Sequence, residues 1–201
     1  IDGLSVTTIS DYAFEDMAYI TSVKIPDSVT KINSYAFKGC KRLTSIDLGK
    51  SVANLGNYIF SGCLSLKEVT IPAAVTHAEY ALTQSSVETV TFAEGIANIP
   101  GYICYQTTSL KNIVMPEIAE GAEKYAIEEH AFYYTSVSSV SFPETLTSIG
   151  RCAFEGCALI TEVTIPDKVT SLGSYSFKNC KRISSFKIGS SVATLGNYML
   201  D

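Results

Sequence analysis

Apolar positions along this chain recur with a period of 23 residues, most clearly in Ile20 to Arg42, ITSVKIPDSVTKINSYAFKGCKR. Leu43 to Ser65, Val137 to Leu159 and Ile160 to Arg182 match that unit position by position. One column reads Ile20, Leu43, Leu66, Val87, Leu110, Val137, Ile160 and Ile183. Three residues on come Val23, Ile46, Val69, Val90, Ile113, Val140, Val163 and Phe186, and two further on Ile25, Leu48, Ile71, Phe92, Met115, Phe142, Ile165 and Ile188. The pattern ends in a period of two and is rich in β-branched residues, as a short strand with one buried face requires. A residue such as Pro26, Pro72, Pro116, Pro143 or Pro166 follows at once, ending the strand and turning the chain.

The second half of each unit also carries inward apolar positions: Val29, Ile32 and Phe37, then Val52, Leu55 and Phe60, then Val169, Leu172 and Phe177. The spacing from Ile32 through Tyr35, Ala36 and Phe37 to Cys40 predicts a turn or two of 3₁₀ or irregular helix, too short to be stable alone. The chain therefore divides into a partial unit 1–19, units 20–42, 43–65, 66–86, 87–109, 110–136, 137–159 and 160–182, and a partial unit 183–201. One such coil cannot bury enough to fold by itself, so stability must come from stacking on its neighbours. The chain starts and stops in mid-unit without a polar cap, and is expected to be part of a longer array.

Two units depart from the period: 66–86 has 21 residues, and 110–136 has 27, lengthened by IAEGAEKYA. A higher-order regularity accompanies them, because Ile20 to Arg42 resembles Ile160 to Arg182, 140 residues on, more than its own neighbours. That offset points to duplication of a block of six units.

With 46% hydrophobic and 17% charged residues the chain is too apolar to be disordered. No apolar run reaches the roughly 18 residues of a membrane span, and Ile1-Asp2-Gly3-Leu4 lacks the features of a signal peptide. We therefore expect no membrane insertion in this segment, with any export signal outside it. A net charge of -5, with no basic cluster beyond Lys41-Arg42 and Lys181-Arg182, argues against nucleic acid as a partner.

The recurring string, as in LTSIDLGKSVANLGNYIFSGC and ITEVTIPDKVTSLGSYSFKNC, resembles the BspA-like leucine-rich repeats of bacterial and some protist surface proteins. The resemblance covers essentially the whole chain. It implies an α/β solenoid: a right-handed leucine-rich-repeat superhelix with one short parallel strand per coil on the concave face and irregular or 3₁₀ segments on the convex side. A parallel β-helix with three faces is the competing fold; it needs two more regular strands per turn, and Gly-x-Tyr-Ala-Phe reads poorly as strand. The resemblance further implies a secreted or cell-surface location, adhesion or protein binding as the function, an extracellular protein or glycan as the partner, and no shared catalytic residues. A structural spacer that displays a neighbouring domain is the competing function.

Chemistry is sparse. Of the six cysteines, Cys40, Cys63, Cys157 and Cys180 share one column, where Met17, Thr107 and Thr135 stand in other units. They read as small buried filler. Strand spacing would allow a disulfide between adjacent coils, but parallel side-chain directions disfavour it. No CxxC or CxxH spacing supports a metal, and no nucleophile elbow or phosphate loop supports catalysis or a cofactor. Two ligand-binding candidates remain. The strand alternation predicts an outward row of Lys24, Asp47, Thr70, Thr91, Val114, Ser141, Thr164 and Lys187, flanked by Ser22, Ser45, Glu68, Thr89, Asn112, Ser139, Glu162 and Ser185, a surface on which short hydroxyls dominate. The rival is the irregular middle, where Tyr105, His130, Tyr133 and Tyr134 cluster in sequence near Tyr80, Tyr102 and Tyr125 and where His130 replaces the repeat tyrosine.

Overall fold

A computed structural model describes residues 5–116 and 125–201, so residues 118–124 of the IAEGAEKYA insertion lie outside the described residues. Within them the chain is a parallel β-solenoid in which each repeat unit makes one coil. The first set of strands follows the LxxVxI pattern. Ser22–Lys24 pairs with Ser45–Asp47, Glu68–Ile71 with Thr89–Phe92 and Thr89–Phe92 with Asn112–Val114, and Glu162–Thr164 with Ser185–Lys187, all parallel. The register aligns repeat positions, Val23 with Ile46 and Val69 with Val90, so equivalent apolar side chains stack down one buried face.

Three expectations need correction. The first is one strand per coil. A second parallel set runs through Thr8–Ile9, Lys31–Ile32 and Asn54–Leu55, and again through Ala126–Ile127, Ser148–Ile149, Ser171–Leu172 and Thr194–Leu195. These strands are two residues long because a buried Ile or Leu needs only one partner on the adjacent coil before the chain turns again. Conversely, residues 139–141 form no strand, although Val140 continues the column.

The other two corrections concern the 3₁₀ segments and the α/β class: among the described residues there is no helix of either kind. The segment from Tyr35 to Cys40 is an arch with left-handed backbone at Tyr35 (φ 59°) and Gly39 (φ 71°). The same pair of positions is left-handed in neighbouring coils, at Tyr58 and Gly62, Tyr80 and Gln84, Tyr102 and Gln106, His130 and Tyr134, and Tyr175 and Asn179. A left-handed residue every few positions prevents any run of helical hydrogen bonds. The N–H groups of alternate residues point to the next coil instead: Tyr35 to Asn57 O, Phe37 to Ile59 O and Gly39 to Ser61 O, at 2.8–3.0 Å. The arch is thus a third hydrogen-bonded wall, and the fold has features of both architectures weighed from the sequence.

Between the walls lies one continuous core. Phe37, Phe60, Phe132, Phe154 and Phe177 are buried in it, with Phe154 stacked on Phe132 at 5.1 Å and on Phe177 at 5.3 Å. Where Cys104 takes the phenylalanine position, Phe92 from the strand column reaches in and meets Phe132 edge-on at 6.1 Å. The short unit loses its residues at corners, one between His77 and Tyr80 and one between Gln84 and Val87. Asn54 still bridges His77, and Val69 still pairs Val90. Corners absorb length changes because they carry the fewest bonds between coils.

The cysteine column has a more specific role than filler. Cys40, Cys63, Cys157 and Cys180 are free and buried, and each thiol donates to a phenylalanine carbonyl of the preceding coil, at 3.0–3.1 Å. Thr107 does the same with its hydroxyl, donating to Leu82 O at 3.1 Å. Where it is buried the position takes a small side chain with a donor, Cys or Thr, whereas Met17 stands half-exposed at the same position in the first unit. Burial raises the Cys63 and Cys180 thiols to about 12 and Cys157 to about 11. Neutral-pH thiolate is therefore scarce, and a disulfide-exchange reagent added to the native protein is expected to leave these thiols unmodified until denaturant is added. Labelling of Cys63 in the folded state, read by mass spectrometry, would contradict this packing.

Candidate functional site

The arch sets the geometry of the aromatic candidate. Its first left-handed position faces outward, and so does the residue three further on except at the buried Ser61 and Thr83, so side chains there form two adjacent rows running across the coils. In regular coils the first row is tyrosine. Tyr12, Tyr35 and Tyr58 stack at 5.0 and 5.4 Å, and Tyr175 on Tyr198 at 5.6 Å. The second row there holds a charge at Glu15, Lys38, Lys178 and Asp201, and the buried Ser61 after Tyr58. Lys38 lies over the Tyr35 ring at 5.7 Å and binds Glu15 at 2.8 Å, while Lys178 lies over Tyr175 at 5.0 Å.

In the middle coils the second row is aromatic as well. Tyr80, Tyr102 and His130 form the first row, with Tyr102 on His130 at 4.7 Å, and Tyr105 and Tyr133 form the second, stacked at 4.8 Å. Tyr80 meets Tyr105 edge-on at 5.3 Å, and Tyr134 leans on Tyr133 at 4.6 Å. Tyr105, His130, Tyr133 and Tyr134 are thus brought together, and Tyr80 and Tyr102 join them in one patch of six rings. Tyr134 is the most open, 42% exposed, and the other five are half-buried. Tyr125 is not part of it: that ring is fully buried in the core. His77 is not one of the six; exposed and bonded to Thr76, it lines a small cavity with Tyr102 at the margin of the patch.

The patch is edged by carboxylates. Tyr102 donates its hydroxyl to Glu129 at 3.2 Å, and Glu128 accepts from the Gly101 N–H at 3.0 Å. Burial first, and the neighbouring Glu129 and Glu79 charges among the further causes, raise the Tyr80 and Tyr102 phenols above the usual tyrosine range. Burial likewise holds His130 below the usual imidazole value, so it is neutral near pH 7, and its Nδ1 has no hydrogen-bond partner. These groups give a contiguous aromatic surface with anionic edges and no nucleophile paired with a base.

The strand row is a different kind of surface. Lys24 aligns with Asp47 at 4.0 Å, Thr70 with Thr91, Thr91 with Val114, and Thr164 with Lys187. All are exposed except the half-buried Thr91, and Ser141 is exposed on the segment that forms no strand. Strand pairing in this row stops between Asp47 and Glu68 and again between Val114 and Glu162, so the row is not one continuous sheet. A cavity of about 550 Å³ opens at the first break, lined by Ile46, Asp47, Lys50, Thr70 and Pro72 among others. No aromatic residue lines it. Among the described residues, no group of three or more His, Cys, Asp or Glu side chains is placed to hold a metal ion, and no helix is long and apolar enough to cross a membrane.

Comparison with known proteins agrees with the repeat architecture. The sequence profile of the BspA type leucine-rich repeat region matches residues 7–129 and 125–201, in six copies. A leucine-rich cell surface protein from Faecalibacterium prausnitzii is 27% identical, with a TM-score of 0.58 over 95% of this chain and 61% of its own. A leucine-rich repeat protein from Eubacterium ventriosum is 22% identical, with a TM-score of 0.52 over 96% of this chain and 60% of its own, a likeness of fold alone. The chain thus spans about three fifths of each of these two structures. No curated protein matches it in sequence. The repeat family is of the binding-scaffold kind, and no catalytic family is indicated.

Proposed function

Because the chain belongs to the BspA-type leucine-rich repeat family, we propose that it is a protein-interaction module that acts at the cell surface or outside the cell, in adhesion, and that the six-ring patch is its contact surface. One observation carries the choice of surface: the position that holds Lys38 and Lys178 in regular coils holds Tyr105 and Tyr133 here, which turns a charged arch face into a contiguous aromatic one. Tyrosine rings held by stacking supply contact area at little further entropy cost. Coils are rigidly bonded through their arches, so the patch is pre-organised for a partner. The hydroxyl-rich strand row lacks such anchors, which favours the arches over it. The resemblance to a surface protein of Faecalibacterium prausnitzii supports the location.

The test is a binding screen of the purified chain against extracellular matrix proteins and glycans, beside a variant carrying Tyr105→Ser, Tyr133→Ser and Tyr134→Asn. Asparagine is chosen at 134 because the backbone there is left-handed, φ 52°. Saturable binding to a protein, weakened at least about tenfold in the variant with its urea midpoint retained, is the expected result. Binding that the variant keeps would move the function to the strand row; specific binding to glycans alone would change the class of partner; a well-folded chain that binds nothing would make it a spacer.

A further inference from the structure

We propose that the strand wall carries two hinges, one on each side of the three coils that bear the ring patch, and that the solenoid flexes there with its arches as the spine. The junctions of 20–42 with 43–65 and of 160–182 with 183–201 are bonded along all three walls. In the strand wall Thr44 N–H donates to Thr21 O and Ile25 N–H to Asp47 O, both at 2.8 Å. The same positions repeat as Ser184 to Thr161 O at 2.8 Å and Ile165 to Lys187 O at 2.9 Å. Between 43–65 and 66–86 the Lys67 and Leu48 N–H groups stand at the positions of Thr44 and Ile25, and neither finds its carbonyl on the adjacent coil. The segment 139–141 repeats the break on both its sides, because the Ser138, Phe142 and Thr161 N–H groups lack the corresponding bonds. The other two walls hold at all these junctions. Leu55 N–H donates to His77 O at 2.8 Å and Tyr58 N–H to Tyr80 O at 3.0 Å across the first break. On the two sides of the second, Phe132 N–H donates to Ala153 O and Phe154 N–H to Ser176 O, both at 2.8 Å.

The coils between the breaks are tied by side chains as well as backbone. Glu68–Ile71, Thr89–Phe92 and Asn112–Val114 form one sheet, Glu88 bridges Lys67 at 3.1 Å and Lys111 at 2.7 Å, and Asn112 donates to Thr89 at 3.3 Å. The arches of these same coils carry all six rings, so the patch rides on one body. Lys50 gives a local reason for the first break. Asp27 accepts from the Lys50 N–H at 3.0 Å and Asp167 from the Ser190 N–H at 2.7 Å, clamping the corner after the strand. In the coil 43–65 that position is Lys50 itself, which has no acceptor to offer Ala73. Space for movement is present at each break: the cavity of about 550 Å³ at the first, and grooves of about 370 and 350 Å³ on the two sides of Ser141 and Phe142. Amides that face an open cleft exchange water for a carbonyl at little cost, whereas bending at the arches breaks several bonds at once. Motion is therefore confined to the strand wall, in the manner of a hinge between rigid bodies.

Two spin-labelled pairs in the whole chain test this by pulsed electron paramagnetic resonance. Lys24→Cys with Thr164→Cys spans the strand wall, and Lys38→Cys with Lys178→Cys spans the arches between the same two coils. The native cysteines are buried, so nitroxides go to the introduced ones. The expected result is a distinctly broader distance distribution for the strand-wall pair than for the arch pair. Amide exchange followed by NMR locates the motion: Leu48, Lys67, Ser138 and Phe142 are expected to exchange at least about tenfold faster than Ile25 and Thr44, their bonded equivalents. Equally narrow distributions would mean that the strand wall is rigid despite its missing bonds, and would overturn the proposal. Equally broad ones would overturn it too, because the whole stack would then flex without a spine. A broad strand-wall pair with Leu48 and Lys67 protected as well as Ile25 and Thr44 would place the motion elsewhere and remove the hinges from these junctions.

Discussion

Phe154→Ala is expected to destabilise the protein by about 3–5 kcal/mol, the range for emptying a well-packed aromatic site. Phe154 is fully buried and has three aromatic neighbours from three other stretches of chain: Phe132 at 5.1 Å, Phe177 at 5.3 Å and Phe142, edge-on, at 5.6 Å. Its N–H and carbonyl also join coils, donating to Ser176 O at 2.8 Å and accepting from the Cys180 thiol at 3.1 Å. The arches are bonded across this position, so the backbone cannot collapse to fill the space the ring leaves. Urea unfolding followed by circular dichroism would measure the loss as a lower midpoint. Phe14→Ala, at a half-buried site with Phe37 as its ring neighbour at 5.0 Å, is expected to cost distinctly less. Equal effects at the two sites would mean that ring stacking between coils contributes little.

The second large effect is expected from the smallest residue. Gly173 lies where one coil passes close against the backbone of the one before it: a Cβ added there would sit 2.4 Å from Arg151 N and 2.5 Å from Gly150 C. Both are backbone atoms, so no rotamer change can make room. The Gly173 N–H also donates to Ile149 O at 2.8 Å, a bond that would stretch as the coils part. Gly173→Ala should therefore cost about 1–3 kcal/mol, the range for overpacking, although alanine favours most backbone conformations more than glycine does. Gly62→Asn is the informative comparison. Its φ of +73° is one that asparagine tolerates, and a Cβ there meets nothing closer than 3.6 Å. Thermal melts of both variants should show a clear drop for Gly173→Ala and little change for Gly62→Asn. A harmless Gly173→Ala would mean that the coils are farther apart than described.

Those two sites also mark where reading by residue type succeeds and where it stops. Phe154 and its column are visible as a repeated apolar position, and burial follows directly from periodicity. The left-handed second arch position is also signalled in part, by Gly39, Gly62, Gly156 and Asn179. The first is not: tyrosine occupies it at Tyr12, Tyr35, Tyr58, Tyr80, Tyr102, Tyr175 and Tyr198, and nothing in that residue's preferences suggests φ near 55°. That unsignalled turn is why the spacing predicts a short helix and the chain forms an arch. Lys31–Ile32 gives no strand signal for a related reason, since two residues are too few to show a period.

The candidate site divides the same way. Tyr105, His130, Tyr133 and Tyr134 drew attention as an aromatic cluster in an irregular region, but Tyr125, which looked equivalent, is in the core. Tyr80 and Tyr102 belong to the patch because coils stack, and Glu79, Glu128 and Glu129 converge beside it for the same reason. The spacing of residues alone determined the period, the inward columns, the stacking of equivalent positions and the family. Those follow from local rules, since a side chain repeated at one phase must meet its own copies in the adjacent coils. Only the tertiary structure decided the second strand, the backbone of the arch and which rings and carboxylates share one face. These depend on how each N–H finds a carbonyl on the next coil, and a hydrogen bond between residues a full repeat apart leaves no mark on either residue's neighbours in sequence.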